Sequence, residues 1–173
     1  ISGKQADGTN TEVANLRIVS SGSDYAFAGL FARAENANIS YITVSGTMYA
    51  YATSTNGSSV VGGIVADTSG KTIIDHCNAG TASRQLTVQA HGKNMAYSST
   101  NVDNLKTYAG GIVGIANTSL YKYVYSGSSW SYQHVYEAGT TSIIRNCDTV
   151  YATIRSAKNN IGGVVGFASS TSL

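Results

Sequence analysis

Short runs of β-branched and small apolar residues follow one another along almost the whole chain of 173 residues. Each run is bounded by Gly, Ser, Asn or Thr, which is the pattern of short β-strands separated by turns. No window shows the apolar spacing of three and four residues that an amphipathic helix requires. The pattern therefore predicts an all-β protein. Its runs are of two types, which alternate four times in the same order.

The first type of run carries glycine between apolar residues, so both faces of the predicted strand are apolar or small. Such a strand is covered on both faces, or it packs closely against another backbone. Its copies are residues 27–32, 61–66, 109–114 and 161–166.

The second type of run lies between copies of the first, at residues 13–16, 39–42, 74–77 and 144–147. A third strand follows in places, at residues 86–89 and 151–154. Strands repeated in a fixed order without intervening helices predict a parallel β-helix, or β-solenoid, of about four coils. We expect three short strands per coil and coils stacked about 4.8 Å apart.

Equivalent residues of stacked coils form ladders along the solenoid axis. The alignment predicts two inward ladders, one of Leu16, Ile42, Cys77 and Cys147 and the other of Phe27, Val61, Ala109 and Ile161. It also predicts two surface ion pairs, Arg33 with Asp67 and Asp75 with Arg145. Exposed pairs contribute only about 0–1 kcal/mol each, so these two pairs matter mainly as tests of the alignment.

The spacing between copies is uneven, and the surplus forms two insertions, at residues 91–107 and 118–141. Solenoids tolerate insertions at their corners and commonly bind partners through them. We expect residues 1–173 to form one solenoid domain. The chain starts without Met or a signal peptide, and it stops just after an apolar run, which suggests a piece of a longer or processed protein.

The second insertion is rich in aromatic residues and predicts a β-hairpin. Aromatic residues alternate on both sides of a four-residue turn at 126–129, so folding the turn pairs them across the two strands. The predicted pairs are Tyr125 with Trp130, Tyr123 with Tyr132, and Tyr121 with His134, and Tyr136 has the same parity.

An aromatic face of this kind has two possible roles. Cross-strand ring pairs stabilise a hairpin by about 0.2–1 kcal/mol each, and the face could be buried against the solenoid wall. Alternatively, it is an exposed platform, since Tyr and Trp offer rigid, amphipathic contact area for sugar rings and protein partners. The sequence leaves both roles open, and we take these seven residues as the candidate ligand-binding site.

The motif Gly110-Gly111-Ile112-Val113-Gly114, followed by Ile144-Arg145-Asn146-Cys147, resembles the GLUG-motif repeat. That repeat occurs in large bacterial surface proteins, among them filamentous-haemagglutinin-like adhesins and the N-terminal regions of immunoglobulin A1 protease-type metalloendopeptidases. The resemblance extends over residues 13–168 outside the two insertions. It implies a surface-exposed β-solenoid, and it does not imply peptidase activity.

Charge and composition narrow the possible partners. The 11 basic and 9 acidic residues are scattered, and the formal net charge is +2, which argues against nucleic acid as a partner. No apolar run approaches the roughly 18 residues of a membrane-spanning helix, so we expect no membrane insertion. Low charge with abundant Ser, Thr, Asn and Gly is typical of exported bacterial surface proteins. Two cysteines are too few for a disulfide framework.

The sequence shows no constellation for catalysis. The histidines His76, His91 and His134 lack the adjacent glutamate of a zinc peptidase, and carboxylates are not paired in the predicted ladders. Ser lies in no nucleophile elbow, and the glycine pairs precede no helix that could bind phosphate. We therefore expect no catalytic residues, no metal ion and no cofactor.

The sequence thus predicts a non-catalytic module of a secreted or cell-surface bacterial protein. It would mediate adhesion or act as a structural stalk that displays binding loops, and its partner would be a host glycan or glycoprotein. Two alternatives stay open. One is a glycan-active β-helix enzyme or an accessory domain of a surface protease. The other is a fibre subunit that associates end to end through the edges of its terminal coils.

Overall fold

The structure is a computed structural model, and it describes residues 1–54, 56–92, 106–117, 120–125, 127–135, 141–157 and 160–168. At residues 120–124, 130 and 132–135 it describes the backbone alone. The described residues form strands and connecting turns and no helix.

The described strands follow one another in four coils. The first coil contains β1 (Thr11–Gly22), β2 (Tyr25–Ala28), β3 (Phe31–Glu35) and β4 (Asn38–Ser40). The second contains β5 (Ile42–Ala52), β6 (Ser58–Gly62), β7 (Val65–Ser69) and β8 (Ile73–Asp75). The third contains β9 (Asn78–Ala79), β10 (Leu86–Gly92), β11 (Lys106–Gly110), β12 (Val113–Ala116), β13 (Leu120–Tyr125), β14 (Trp130–Val135) and β15 (Ile143–Arg145). The fourth contains β16 (Ala152–Ser156), β17 (Asn160–Gly162) and β18 (Val165–Ala168).

Solenoid strands pair in parallel with the equivalent strands of the next coil. The stacked coils thereby form four parallel sheets that run along the solenoid axis. Their strand orders are β1-β5-β10-β16, β2-β6-β11-β17, β3-β7-β12-β18 and β4-β8-β15, with β9 also pairing with β5. The predicted fold, an all-β parallel β-helix of about four coils, is confirmed. The hairpin of β13 and β14 is antiparallel and forms a separate two-stranded sheet.

The prediction of three strands per coil was wrong, because the glycine-rich run is two strands and not one. In the second coil, β6 ends at Gly62 and β7 begins at Val65, so the motif forms a corner. A Cβ atom on Gly62 would collide with the carbonyl oxygen of Val65, so the chain can make this tight corner only with glycine. Gly110 and Gly162 would collide in the same way with Val113 and Val165.

The core consists of apolar ladders that run through the middle coils. Val61 stacks on Ala109, and both are fully buried, as the alignment predicted. Ile161 continues this ladder, but its side chain is exposed in the fourth coil. Cys77 is buried and Cys147 half-buried, and both are free thiols. The largest fully buried side chains among the described residues are Met48, Ile64, Ile74, Leu86 and Ile112.

Two residues, Leu16 and Phe27, were assigned to the wrong ladder. The residue that pairs with Ile42 is Thr11, whereas Leu16 pairs with Gly46. Ile42 keeps its predicted place beside Cys77, since Ser40 pairs with Asp75 and Thr43 pairs with Asn78. The segment that stacks on β4 from the other side lies near the first residue, where Ser2 bridges to Ser40.

Phe27 is the other misassigned residue. It pairs with Val60, and its neighbour Ala28 takes the inward place beside Val61. A slip of one residue moves a side chain to the opposite face of a strand. Phe27 therefore lies on the outer face of the solenoid and not in its core.

Both predicted ion pairs are confirmed by the strand register. Arg33 pairs with Asp67 and Asp75 pairs with Arg145, with N···O distances of 3.5 and 3.0 Å. The Asp67 side chain is only 4% exposed, so the first pair is not the surface pair that the sequence suggested. The Asp67 side chain is buried because it lies in a groove on the outer surface of the solenoid.

Candidate functional site

A groove runs along the outside of the solenoid, where the outer faces of two sheets converge at the glycine corner. One wall comes from the sheet of β2, β6 and β11, and the other from the sheet of β7, β12 and β18. Its volume is about 250 Å³. The residues that line this groove are Tyr25, Phe27, Ser58, Val60, Asp67, Lys106, Tyr108, Ile115, Asn117 and Phe167.

The glycine motif is the local cause of the groove. At Gly114, an added Cβ atom would lie 2.6 Å from the carbonyl oxygen of Ala66 and 2.7 Å from Cγ1 of Val60. The two walls therefore approach each other closely at the floor, and Val60 is 1% exposed although it lines the groove. The same short residues that shape the corner thus bring outward side chains of both walls together.

Aromatic side chains occupy both ends of the groove. In the first coil, Tyr25 and Phe27 stack with their ring centroids 6.1 Å apart, and the Arg33 guanidinium lies 4.5 Å from the Phe27 ring centroid. In the third and fourth coils, Tyr108 and Phe167 lie 5.6 Å apart with a tilt of 58°. Burial raises the pKa of the Tyr108 hydroxyl, so the ring is uncharged at neutral pH.

A fixed polar group lies between the aromatic ends. The Asp67 carboxylate accepts a hydrogen bond of 3.0 Å from the Asn117 amide, and it faces Arg33 at 3.5 Å. A buried carboxylate is stable only when it is paired or hydrogen-bonded in this way. The three side chains hold one another in place and present hydrogen-bonding atoms at fixed positions.

Aromatic residues beside the glycine motif are a sequence signal for this groove. Phe27 and Tyr108 each stand two residues before a corner glycine, and Phe167 directly follows Gly166. If the motif is one strand covered on both faces, the adjacent aromatic residues belong to the core, and the pattern then indicates no groove.

A second polar cluster lies at the corner after β4, β8 and β15. Tyr41, His76 and Asn146 all have φ between 51° and 57°, so the corner repeats in three coils. The Tyr41 and His76 rings stack with centroids 4.7 Å apart, and Lys4 lies 5.1 Å from the Tyr41 ring centroid. The two rings stack between successive coils, as the paired backbones do, and this stacking stabilises the corner.

The carboxylate in this cluster is Asp75. It accepts hydrogen bonds from Asn146 at 2.9 Å and Arg145 at 3.0 Å, and these bonds lower the pKa of Asp75. His76 Nδ1 lies 2.8 Å from the same carboxylate. Asn78 and Asp148, one coil apart, are joined by a parallel β-bridge. The cluster contains one carboxylate and no nucleophile within the described contacts.

Burial makes both cysteine thiols less acidic than usual, since it raises their pKa. Burial raises the pKa of the Cys77 thiol to about 11, so this thiol is protonated at neutral pH. Thiolates, and not thiols, act as nucleophiles and metal ligands. Burial also raises the pKa of Cys147.

The hairpin has the backbone register that the sequence predicted. Tyr125 pairs with Trp130, Tyr123 with Tyr132, and Tyr121 with His134. Residues directly opposite in an antiparallel pair lie on the same face, so these six positions share one face. Tyr136, the seventh candidate, lies outside the described residues.

One observation bears on the exposure of this face. Tyr125, the member of the set whose side chain is described, is 56% exposed. The backbones of β13 and β14 pair with each other from Leu120 with Val135 to Tyr125 with Trp130. Most of the first insertion, namely residues 93–105 of 91–107, lies outside the described residues.

The described residues include no group of three or more His, Cys, Asp and Glu side chains placed to hold a metal ion. They also include no helix that could cross a membrane. Together, the fold and the groove define the class of protein as a parallel β-helix with a concave aromatic surface and an inserted hairpin. Comparisons with protein-family models, curated proteins and solved structures gave no match.

Proposed function

We propose that this chain is a non-catalytic adhesion module of a secreted or cell-surface bacterial protein. In this role the β-helix is a rigid stalk, and the hairpin of β13 and β14 is the surface that binds a host glycan or glycoprotein. The GLUG-like motif and the composition of the chain support this assignment to a bacterial surface protein.

The observation that carries the proposal is the register of the hairpin. It brings six aromatic positions onto one face of a two-stranded sheet that is separate from the four solenoid sheets. Two-stranded hairpins are marginally stable alone, so a long aromatic hairpin needs another reason to be present at a solenoid corner. The exposure of Tyr125 favours contact with a partner as that reason.

The alternative of a glycan-active enzyme requires two carboxylates on either side of a bound sugar. Among the described residues that line the groove, Asp67 supplies one carboxylate, and this carboxylate is bonded to Asn117. Among the residues that the structure describes, no contact favours the enzyme over the adhesion module, so the experiment tests the adhesion module.

The test is a binding screen on a glycan array and on purified host glycoproteins. The chain is compared with the double variant Trp130→Ala with Tyr132→Ala, after circular dichroism shows that both fold. The matched control is Lys122→Ala with Gln133→Ala, a directly opposed pair whose positions lie on the other face of the hairpin.

We expect the parent and the control to bind, and the aromatic variant to bind at least about tenfold more weakly, because interface energy concentrates in aromatic anchors. Binding that both double variants retain in full would reject the hairpin as the adhesive surface. Absence of binding by the parent, with a lower melting temperature for the aromatic variant, would assign the hairpin a structural role.

A further inference from the structure

The groove has features of a ligand-binding site, and the residues that line it lie outside the hairpin. Its two walls are rigid because they are the outer faces of paired sheets, and residues from all four coils line it. Small-molecule sites combine aromatic and apolar walls with a few polar groups at fixed positions. The groove has both, in Tyr108 and Phe167 on one hand and Asp67 and Asn117 on the other.

The spacing of the aromatic side chains along the axis suits a linear chain of sugar rings. Phe27 and Tyr108 stand at equivalent positions of one wall, each paired with the same residue, Val60, of the coil between them. Two coil steps separate them by about 9.6 Å along the axis. A linear oligosaccharide can therefore lie along the axis with one sugar ring near each aromatic end and a further ring between them.

The polar groups on the floor of the groove suit hydroxyls. Asp67 is compensated by Arg33 at 3.5 Å, so this pair carries no net charge, and Lys106 adds one positive charge to the lining. A carboxylate accepts hydrogen bonds from vicinal hydroxyls, and an amide group both accepts and donates them. The neutral phenol of Tyr108 can do the same at neutral pH.

The walls do not suit an extended peptide that would add a strand. The strands β6 and β11 each pair with a neighbour on both sides, so their backbone groups are already engaged. Strand addition requires a free sheet edge. A volume of about 250 Å³ is also too small for a helix.

We propose that the groove is a saccharide-binding site, with the apolar face of a pyranose ring against Tyr108 and Phe167 and its hydroxyls on Asp67 and Asn117. This site is separate from the hairpin and does not depend on the adhesive role of the hairpin.

The experiment titrates the whole chain with four defined trisaccharides, namely those of β-linked glucose, N-acetylglucosamine, mannose and galacturonic acid. Binding is followed by NMR shifts and by calorimetry. The key variant is Phe167→Ala, and the matched control is Tyr151→Ala, because the two rings are 44% and 41% exposed and only Phe167 lines the groove. Phe167→Leu serves as a second variant that keeps apolar volume and removes the aromatic ring.

We expect at least one trisaccharide to shift the signals of Phe27, Tyr108 and Asn117 in the unmodified chain. We expect Phe167→Ala and Phe167→Leu to weaken its binding about tenfold and Tyr151→Ala to leave it unchanged. Binding of the galacturonate probe alone would identify an acidic saccharide, and binding of the neutral probes would identify a neutral one.

Three results would overturn the proposal. The first is that no probe binds at about 10 mM. The second is that Phe167→Ala and Tyr151→Ala weaken saccharide binding equally, and the third is that the NMR shifts are confined to hairpin residues. The double variant Trp130→Ala with Tyr132→Ala keeps the groove intact, so it separates failure of this site from failure of the hairpin. Saccharide binding that this variant retains supports the groove, and binding that it loses assigns the saccharide to the hairpin.

Discussion

Single side chains at the solenoid surface are fixed by partners from neighbouring coils. Asp75 is bonded to Arg145 and Asn146, which lie 70 and 71 residues further along the chain. In the same way, Glu12 lies beside Arg84, which lowers the pKa of the glutamate and raises the pKa of the arginine. Such contacts exist only in the folded state, so they couple the charge of each group to folding.

The Asp75→Asn variant tests this coupling. The pKa of Asp75 lies below its ordinary value of 3.8, so its ionised form stabilises the fold at neutral pH. This contribution is present above pH 3.8 and is lost as the pH falls through the lowered pKa of the folded state. We expect the parent to melt at a higher temperature than the variant at pH 7, and the difference to shrink below pH 3.8. A difference that stays constant down to about pH 2 would show that the effect of the substitution is steric and not electrostatic.

At the scale of elements, the glycine corner determines how the sheets meet. Gly111 and Gly163 occupy the same place in the motif, one coil apart. A Cβ atom at Gly111 would collide with the carbonyl oxygen of Gly163, and it would lie 2.7 Å from Thr149 Cγ2. At Gly163 the nearest atom would be Thr149 Oγ1 at 3.5 Å, which is ordinary contact. The two positions therefore tolerate a side chain to very different degrees.

This matched pair gives a direct prediction. We expect Gly111→Ala to destabilise the fold by about 2 kcal/mol or more, since the backbone must move to accept the methyl group. Gly163→Ala should change stability by no more than about 0.5 kcal/mol. Urea unfolding followed by circular dichroism measures both free energies. Equal losses in the two variants would contradict the steric explanation.

At the scale of the whole molecule, packing is uneven along the axis. The strands β6 and β7 of the second coil are buried at every residue, whereas β17 and β18 of the fourth coil are partly exposed. Solenoid coils are stabilised by their neighbours, and the described fourth coil has a partner coil on one side. End-to-end association through this coil stays a prediction.

Hydrogen exchange measures this gradient. We expect the backbone amides of β6 and β7 to exchange at least about a hundredfold more slowly than those of β17 and β18, because the terminal coil opens without unfolding the others. Equal protection in all four coils would show that the solenoid opens as one cooperative unit.

The limits of sequence-based prediction appear at particular residues. The hairpin pairs, from Tyr125 with Trp130 to Tyr121 with His134, were predicted correctly because alternation and turn length determine local register. The ion pair of Arg33 and Asp67 was also predicted correctly, since coil alignment determines which residues stack. Phe27 was placed in the core because nothing local shows which parity faces inward beside a corner.

The sequence by itself determined the repeat, the number of coils and the hairpin register, because each depends on periodicity along the chain. Only the tertiary structure decided that each coil has four strands and that two sheet faces converge into a groove. That convergence brings Asp67, Tyr108 and Phe167 together from three coils. The groove depends on the angle at which packed sheets meet, and this angle is set by backbone contacts between Gly62, Gly114 and their neighbours in space.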